Sequence, residues 1–420
     1  MKPLKIMTAS DLHYLSPSLH DSGPLFRQTM NTADGKYTHY SAELCECLFD
    51  TVKKEKPEYL LLSGDLTFNG EKQSHLELAE YFRKLENEGT KVLLIPGNHD
   101  VNYHFSCQYK GDSYKKVANV TPEEFEQIYY DCGYGGALSR DPNSLSYLYE
   151  LEPGLWLLAL DANVNGEKGA LSKATLEWAE PWLRAAKNAG TKVFTMTHQN
   201  ILSHNLLTSP GYVLFNHEEV EAMMKKYGVV LNLSGHMHIQ HIKVSGPYTT
   251  IASGSLSISP NLYGTLDVHD NGLIDYHASE LDVDGWAKAK GLKDPNLRDF
   301  KKRSKAYFNQ VWGMQINQEL NDYGVSPLER VGMVYFCTKV INDYLSGKIY
   351  LKRKEYLEDP LYRTWKKLAR GSFFEGYISS ILDDPANSIS DREITIDMNR
   401  NKAHCKTCEP ASGKNGGSGL

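Results

Sequence analysis

KVLLIPGNHD, residues 91–100, is an apolar run that stops at a glycine, an amide, an imidazole and a carboxylate. The run has the length and content of a buried β-strand, and the polar group behind it has no place in a core. Four other stretches repeat the arrangement: SDLH at 10–13, GDLTFNG at 64–70, TH at 197–198 and GHMH at 235–238. Each follows an apolar run, so carboxylates, imidazoles and one amide from distant parts of the chain are expected along one edge of a sheet.

Around these motifs, strand-like runs at 4–8, 59–62, 91–95, 155–160, 193–196, 229–233 and 249–252 alternate with helical patterns at 40–56, 73–88, 122–130, 172–188 and 217–227. That alternation predicts an α/β layered fold over residues 1–284. Residues 263–268 and 273–279, joined by His269-Asp270-Asn271-Gly272, predict a closing antiparallel hairpin. The segment 101–151 has weak strand signal, carries Gly133, Gly135 and Gly136, and is expected to form an insertion near the site. From 285 to 397 the pattern predicts a helical domain: Leu328, Val331, Val334, Cys337, Ile341 and Leu345 recur every three or four residues. Between 286 and 370 there are 18 Lys/Arg against 9 Asp/Glu, which reads as solvated helix faces or as attraction for an anionic ligand. Residues 398–420 read as a flexible tail, and its Cys405 and Cys408 as incidental thiols, since a zinc knuckle needs a second half.

Bulk properties narrow the function classes. The chain has 420 residues, 41% hydrophobic and 23% charged, with a formal charge of −6. A surface built for nucleic acid needs a dense basic field, so no strong nucleic-acid signal is present. No apolar run reaches the roughly 18 residues of a membrane span. The amino terminus enters a strand-like run without a leader pattern, and seven scattered cysteines make no disulfide framework, so a cytoplasmic location is expected.

The motif chemistry points to phosphate ester hydrolysis. An anionic ester repels hydroxide and its alkoxide leaves poorly; two divalent metals about 3.5–4 Å apart bind the phosphoryl oxygens and hold a deprotonated water for in-line attack. Such a pair needs a bridging carboxylate, and Asp65, placed between a strand end and a turn, is the candidate.

In order and composition the five blocks resemble the calcineurin-like metallophosphoesterase superfamily: Asp-x-His, Gly-Asp with a later Gly, Gly-Asn-His-Asp, a lone His and Gly-His-x-His. The resemblance implies a core of two packed mixed β-sheets flanked by helices, with the site at the strand carboxyl ends. Carried residue by residue, it implies that Asp11, His13 and His238 hold one metal and Asn98, His198 and His236 the second, with Asp65 shared. That N/O donor set, free of thiolate, suits Mn, Fe or Zn. His99 is implied to face the substrate and give a proton to the leaving oxygen, with Asp100 orienting its ring. Gly97 and Gly235 are expected to permit sharp turns. Phe68 stands where purple acid phosphatases carry a tyrosine ligand, so no tyrosinate-bound iron is expected. The pattern looks most like bacterial cyclic-nucleotide phosphodiesterases.

Asn69, His75 and His204 are candidates for contact with substrate, as are Asn102, Tyr103 and His104 behind the third motif. The reading is thus a dinuclear metal-dependent hydrolase of small anionic phosphate esters, with phosphodiesters, including cyclic nucleotides, preferred. A phosphomonoesterase is the alternative within enzymes, and a metal-binding scaffold with little turnover the alternative outside them.

Overall fold

The computed structural model describes residues 2–32, 34–164, 169–205, 207–208 and 211–399, and the backbone of 402–404. Of the tail expected over 398–420, residues 398–399 and the backbone of 402–404 are described, while Cys405, Cys408 and the rest lie outside the described residues.

Two seven-stranded sheets pack face to face. In the first, Leu4–Ala9 lies between a parallel partner, Tyr59–Leu62, and an antiparallel one, Leu262–Val268. Lys91–Leu94 extends the parallel side and Leu273–Glu280 the antiparallel side. In the second, Leu155–Leu160, Lys192–Thr197, Leu231–Ser234 and Tyr248–Ala252 run parallel, with His241–Ser245 antiparallel at one edge. Parallel strands are covered on both faces and therefore read as continuous apolar runs, which is the pattern of Tyr59–Leu62 and Lys91–Leu94. The expected α/β core of two mixed sheets flanked by helices is present, and the hairpin closes through Gly272 at φ +84 with His269 N–H on Leu273 O at 2.8 Å.

Three expectations are corrected. The segment 101–151, read as weak in strand signal, holds four short strands. Cys107–Lys110 and Ser113–Lys116 form a two-stranded ribbon, and Ser139–Arg140 and Tyr147–Glu152 are edge strands of the second sheet. The helical region does not run to 397: Glu393–Asp397 returns to pair with Leu273–Glu280, and Lys402–His404 pairs outside it. Alternation of Ile394 and Ile396 inward explains that strand. Within the helix Pro327–Leu345, Leu328 and Val331 are 87% and 71% exposed, and the buried stripe is Met333, Phe336, Cys337, Val340, Ile341 and Tyr344.

This stripe packs with Phe308, Ile316, Leu320, Trp365, Ile378 and Ile381 from the neighbouring helices. Met237, Ile239 and Ile258 of the sheet region join the same cluster, so the helices rest on the loop that carries the last motif. Among the described residues no helix is long and apolar enough to cross a membrane.

Candidate metal centre

The five motifs leave the carboxyl ends of strands and turn at once, and their backbone shows how tightly. Asp11, His13, Asp65, His236 and His238 all adopt positive φ, between 44° and 67°. Left-handed backbone is uncommon for residues with a β-carbon and persists where surroundings enforce it, which is a mark of functional sites. The turns are stitched across the sheets. Asp11 N–H donates to Gly64 O at 3.1 Å, His13 N–H to Asp65 O at 3.0 Å, and Gly235 N–H to His198 O at 3.0 Å. Gly97 and Gly235 contribute differently from expectation. Neither has positive φ; each lacks a side chain because a β-carbon at 97 would strike Asp65 Oδ1, and one at 235 would strike Ser10 Oγ.

Two groups of donors result. Asp11, His13, Asp65 and His238 each offer an atom, all within 4.8 Å of one another, and so do Asp65, His198 and His236. In the first group His238 Nε2 is 3.3 Å from Asp11 Oδ1 and 3.3 Å from His13 Nε2. In the second, His198 Nε2 lies 3.3 Å from Asp65 Oδ1 and 3.0 Å from Asn98 Oδ1. Asp65 faces both ways, its Oδ2 3.7 Å from His13 Nε2. All seven expected ligand residues therefore meet at one place.

The donors fit divalent cations. Two imidazole nitrogens face each other beside carboxylate oxygens in a buried site, a cradle of lone pairs that needs positive charge at its centre. The second nitrogens are mostly engaged: His198 Nδ1 meets Ser63 O at 2.8 Å and His236 Nε2 meets Gly211 O at 2.9 Å. These outer contacts fix ring orientation as in metal-binding histidines generally.

Without metal, burial lowers His236 to a pKa of about 4 and holds His13 well below its ordinary value. Burial also opposes charge on His198 and His238, but the carboxylates of Asp65 and Asp11 outweigh it and raise both to about 9. These two rings are protonated at neutral pH in the metal-free protein, and their contribution to its stability is full below about 6.5 and lost as pH rises through about 9. A metal must displace those protons. Affinity for each ion should therefore rise roughly tenfold per pH unit between pH 7 and 9. Calorimetry of metal binding at pH 7 in buffers of different ionisation enthalpy should show proton release; a buffer-independent enthalpy would contradict it.

His99 lies beside the cluster and lines a cavity with Asp65, Asn98, His236 and His238. Its Nδ1–H is shared by Phe68 O at 2.8 Å and Asn69 Oδ1 at 3.1 Å, and its ring stacks on Tyr103 with centroids 4.8 Å apart. The expected role of Asp100 is corrected. Its carboxylate accepts from Gly97 N, Leu66 N, Thr67 N and Thr67 Oγ1 at 2.8–3.1 Å, and so ties the second motif to the third rather than orienting the His99 ring.

The substrate-contact candidates separate. Asn69 anchors His99. His75 is fully buried behind the site, bonded to Tyr129 Oη at 2.9 Å and Asp100 O at 2.9 Å. His204 is buried against His241 and Thr250, away from the cavity lining. The cavity is instead walled by Tyr212 and by Trp312, Leu345, Phe373 and Tyr377 of the helical region, with Asp34 and Lys36 at its polar side. No motif marks these residues, and of them only Leu345 fell in the expected helical stripe.

A sequence model of the calcineurin-like phosphoesterase family matches residues 4–240, and one for the C-terminal domain of cyclic nucleotide phosphodiesterase matches 282–388. A probable cyclic nucleotide phosphodiesterase of Moraxella catarrhalis is 26% identical over 200 residues, 46% of this chain and 63% of that protein. A probable glycerophosphodiester phosphodiesterase of Arcobacter nitrofigilis is 26% identical over 212 residues, 49% of this chain and 67% of that one. The chain thus spans about two-thirds of the length of these curated relatives. Among solved structures, a dimetal phosphatase from Danio rerio aligns with a TM-score of 0.47 at 13% identity, over 66% of this chain and 96% of that one. The first family model runs through all five motifs and over more than half of the sequence, and the chain belongs to the calcineurin-like phosphoesterase family.

Proposed function

We propose that this protein is a dinuclear metal-dependent phosphodiesterase. The observation that carries the reading is the meeting of Asp11, His13, Asp65, Asn98, His198, His236 and His238 around one carboxylate that belongs to both donor groups. Asp11, His13 and His238 would hold one ion, Asn98, His198 and His236 the other, and Asp65 both. When bound, such a pair supplies charge stabilisation for phosphoryl oxygens and a lowered pKa for water. The metal identity favoured by the donors is Mn, Fe or Zn.

The remaining work falls to the chain itself. With Nδ1 donating to Phe68 O, His99 turns Nε2 to the cavity, where it can deliver a proton to the departing alkoxide. The apolar and aromatic wall of Trp312, Phe373, Tyr377 and Tyr212 excludes water and suits an organic substituent on each side of the phosphorus, as a diester has. The names of the relatives and the match of residues 282–388 support diesters, with cyclic nucleotides among them. Among the described residues the five cysteines are buried and free, which accords with a reducing cytoplasm.

Metal-loaded protein should hydrolyse bis-para-nitrophenyl phosphate at least about tenfold faster than the monoester, a difference of some 1.4 kcal/mol in transition-state binding. Turnover of the monoester alone would make the protein a phosphomonoesterase, and inactivity with Mn, Fe, Zn and Co would favour a scaffold.

A further inference from the structure

Asp34 and Lys36 stand outside every motif, yet they reach the cluster. They lie on the loop between the helix Pro24–Asn31 and the turn Thr38–Tyr40. One carboxylate oxygen, Asp34 Oδ2, is 3.3 Å from His238 Nδ1 and 3.3 Å from Lys36 Nζ. On its first side it fixes the His238 ring so that Nε2 faces Asp11, as outer carboxylates do for metal-binding histidines. On its second side it holds an ammonium.

Lys36 is only 7% exposed and lines the same cavity as Asp65, Asn98, His99, His236 and His238. Lysine is almost never buried so far without partners, because stripping water from an ammonium is costly. The group carries three N–H donors. Among the described residues its ion-pair contact is Asp34, which satisfies one of them. The others remain in a cavity whose floor is the donor cluster. Once cations neutralise Asp11 and Asp65, the partner that completes this ammonium is an anion.

The helical region holds the loop in place. Trp312 Nε1–H donates to Asp34 O at 2.9 Å and Tyr307 Oη–H to Met30 O at 2.9 Å. The Tyr37 ring stacks on Tyr307 with centroids 4.6 Å apart, and Tyr37 N–H donates to Ser257 O at 2.8 Å. Gly35, at φ +90, lies so close under the helix Phe300–Asp322 that a β-carbon would stand 2.8 Å from Phe308 Cδ2 and 3.2 Å from Trp312 Nε1. A cation fixed in this way needs little reorganisation to meet its ligand, which is where electrostatic contacts gain most.

We propose that Lys36 is a substrate-binding residue whose ammonium, oriented by Asp34 on a loop held by the helical region, grips a non-bridging phosphoryl oxygen of an anionic ester. The assignment rests on the hydrolase reading above for the nature of the anion.

The test uses the full, metal-loaded chain with inorganic phosphate as the probe, read by calorimetry, with metal content measured on the same samples. Lys36→Met and Lys36→Gln should bind phosphate at least tenfold more weakly than the native protein while keeping both metals, and Lys36→Arg should recover most of the affinity. Phosphate affinity within twofold of native in the Met and Gln variants would overturn the assignment. Loss of metal from them would overturn it too, by making Lys36 a support of the metal site. Turnover of bis-para-nitrophenyl phosphate by the native protein is measured separately. Its absence, with Lys36-dependent phosphate binding intact, would sink the hydrolase reading and leave Lys36 as an anion-binding residue.

Discussion

Asp65→Ala should strip both metals and lower ester turnover at least about 10⁴-fold, well inside the roughly 10⁶-fold or more by which enzymes exceed solution rates. The carboxylate belongs to both donor groups, with Oδ2 turned to His13 and Oδ1 to His198. Among the described residues it is the carboxylate common to the two groups. Oδ1 also accepts the His99 N–H at 2.9 Å, so the substitution loosens the third motif as well. Position 65 has φ 50°, where alanine is strained and asparagine tolerated. Asp65→Asn therefore serves as the companion: it keeps the turn, removes the charge and should still lose metal. Elemental analysis of the purified variants checks this, and two ions retained by either variant would end the bridging assignment.

The parts of this site that were legible in the sequence are those governed by local rules. An apolar run followed by a polar tetrad marks a strand end, and strand ends in a layered α/β fold share an edge. The motifs were found in that way, and the seven proposed ligands within them came from the resemblance to the metallophosphoesterase superfamily. His75 was misplaced although its pattern was available: with Leu78, Ala79 and Phe82 it falls on the buried face of the helix Lys72–Asn87. It stood only as a candidate for substrate contact, and helical periodicity pointed to the core. Asp100 was assigned to His99 by family analogy, whereas its four donors are dictated by how two turns meet.

Lys36 and Asp34 were beyond the sequence for another reason. Their neighbours Trp312 and His238 lie some two to three hundred residues away, and no periodicity encodes such a contact. The outer half of the expected stripe on Pro327–Leu345 failed similarly. Spacing places Leu328 and Val331 in line with the buried positions, but which turns of a helix are covered depends on where its neighbours end.

His99→Ala should keep both metals and lose turnover by about 10²–10⁴-fold on esters with poor leaving groups, the usual range for a lost proton donor. Besides the stacking on Tyr103, the ring is held by hydrogen bonds at Nδ1. Phe68 O and Asn69 Oδ1 both accept, so Nδ1 carries the proton and Nε2 is left for the cavity. Burial sets the His99 pKa below its ordinary value, opposed by the charge of Asp65, so the ring gives up its second proton readily. Proton donation matters in proportion to the basicity of the leaving oxygen. The loss should therefore shrink with para-nitrophenolate and grow with an alkoxide, and a series of esters graded in leaving-group pKa measures that slope. Equal losses across the series would mean that His99 binds the phosphoryl group without transferring a proton. The alkaline decline of the native rate on the poorest leaving group should be missing from the variant. That decline separates proton delivery from positioning, because a residue that merely holds the substrate would lower the whole profile without changing its shape.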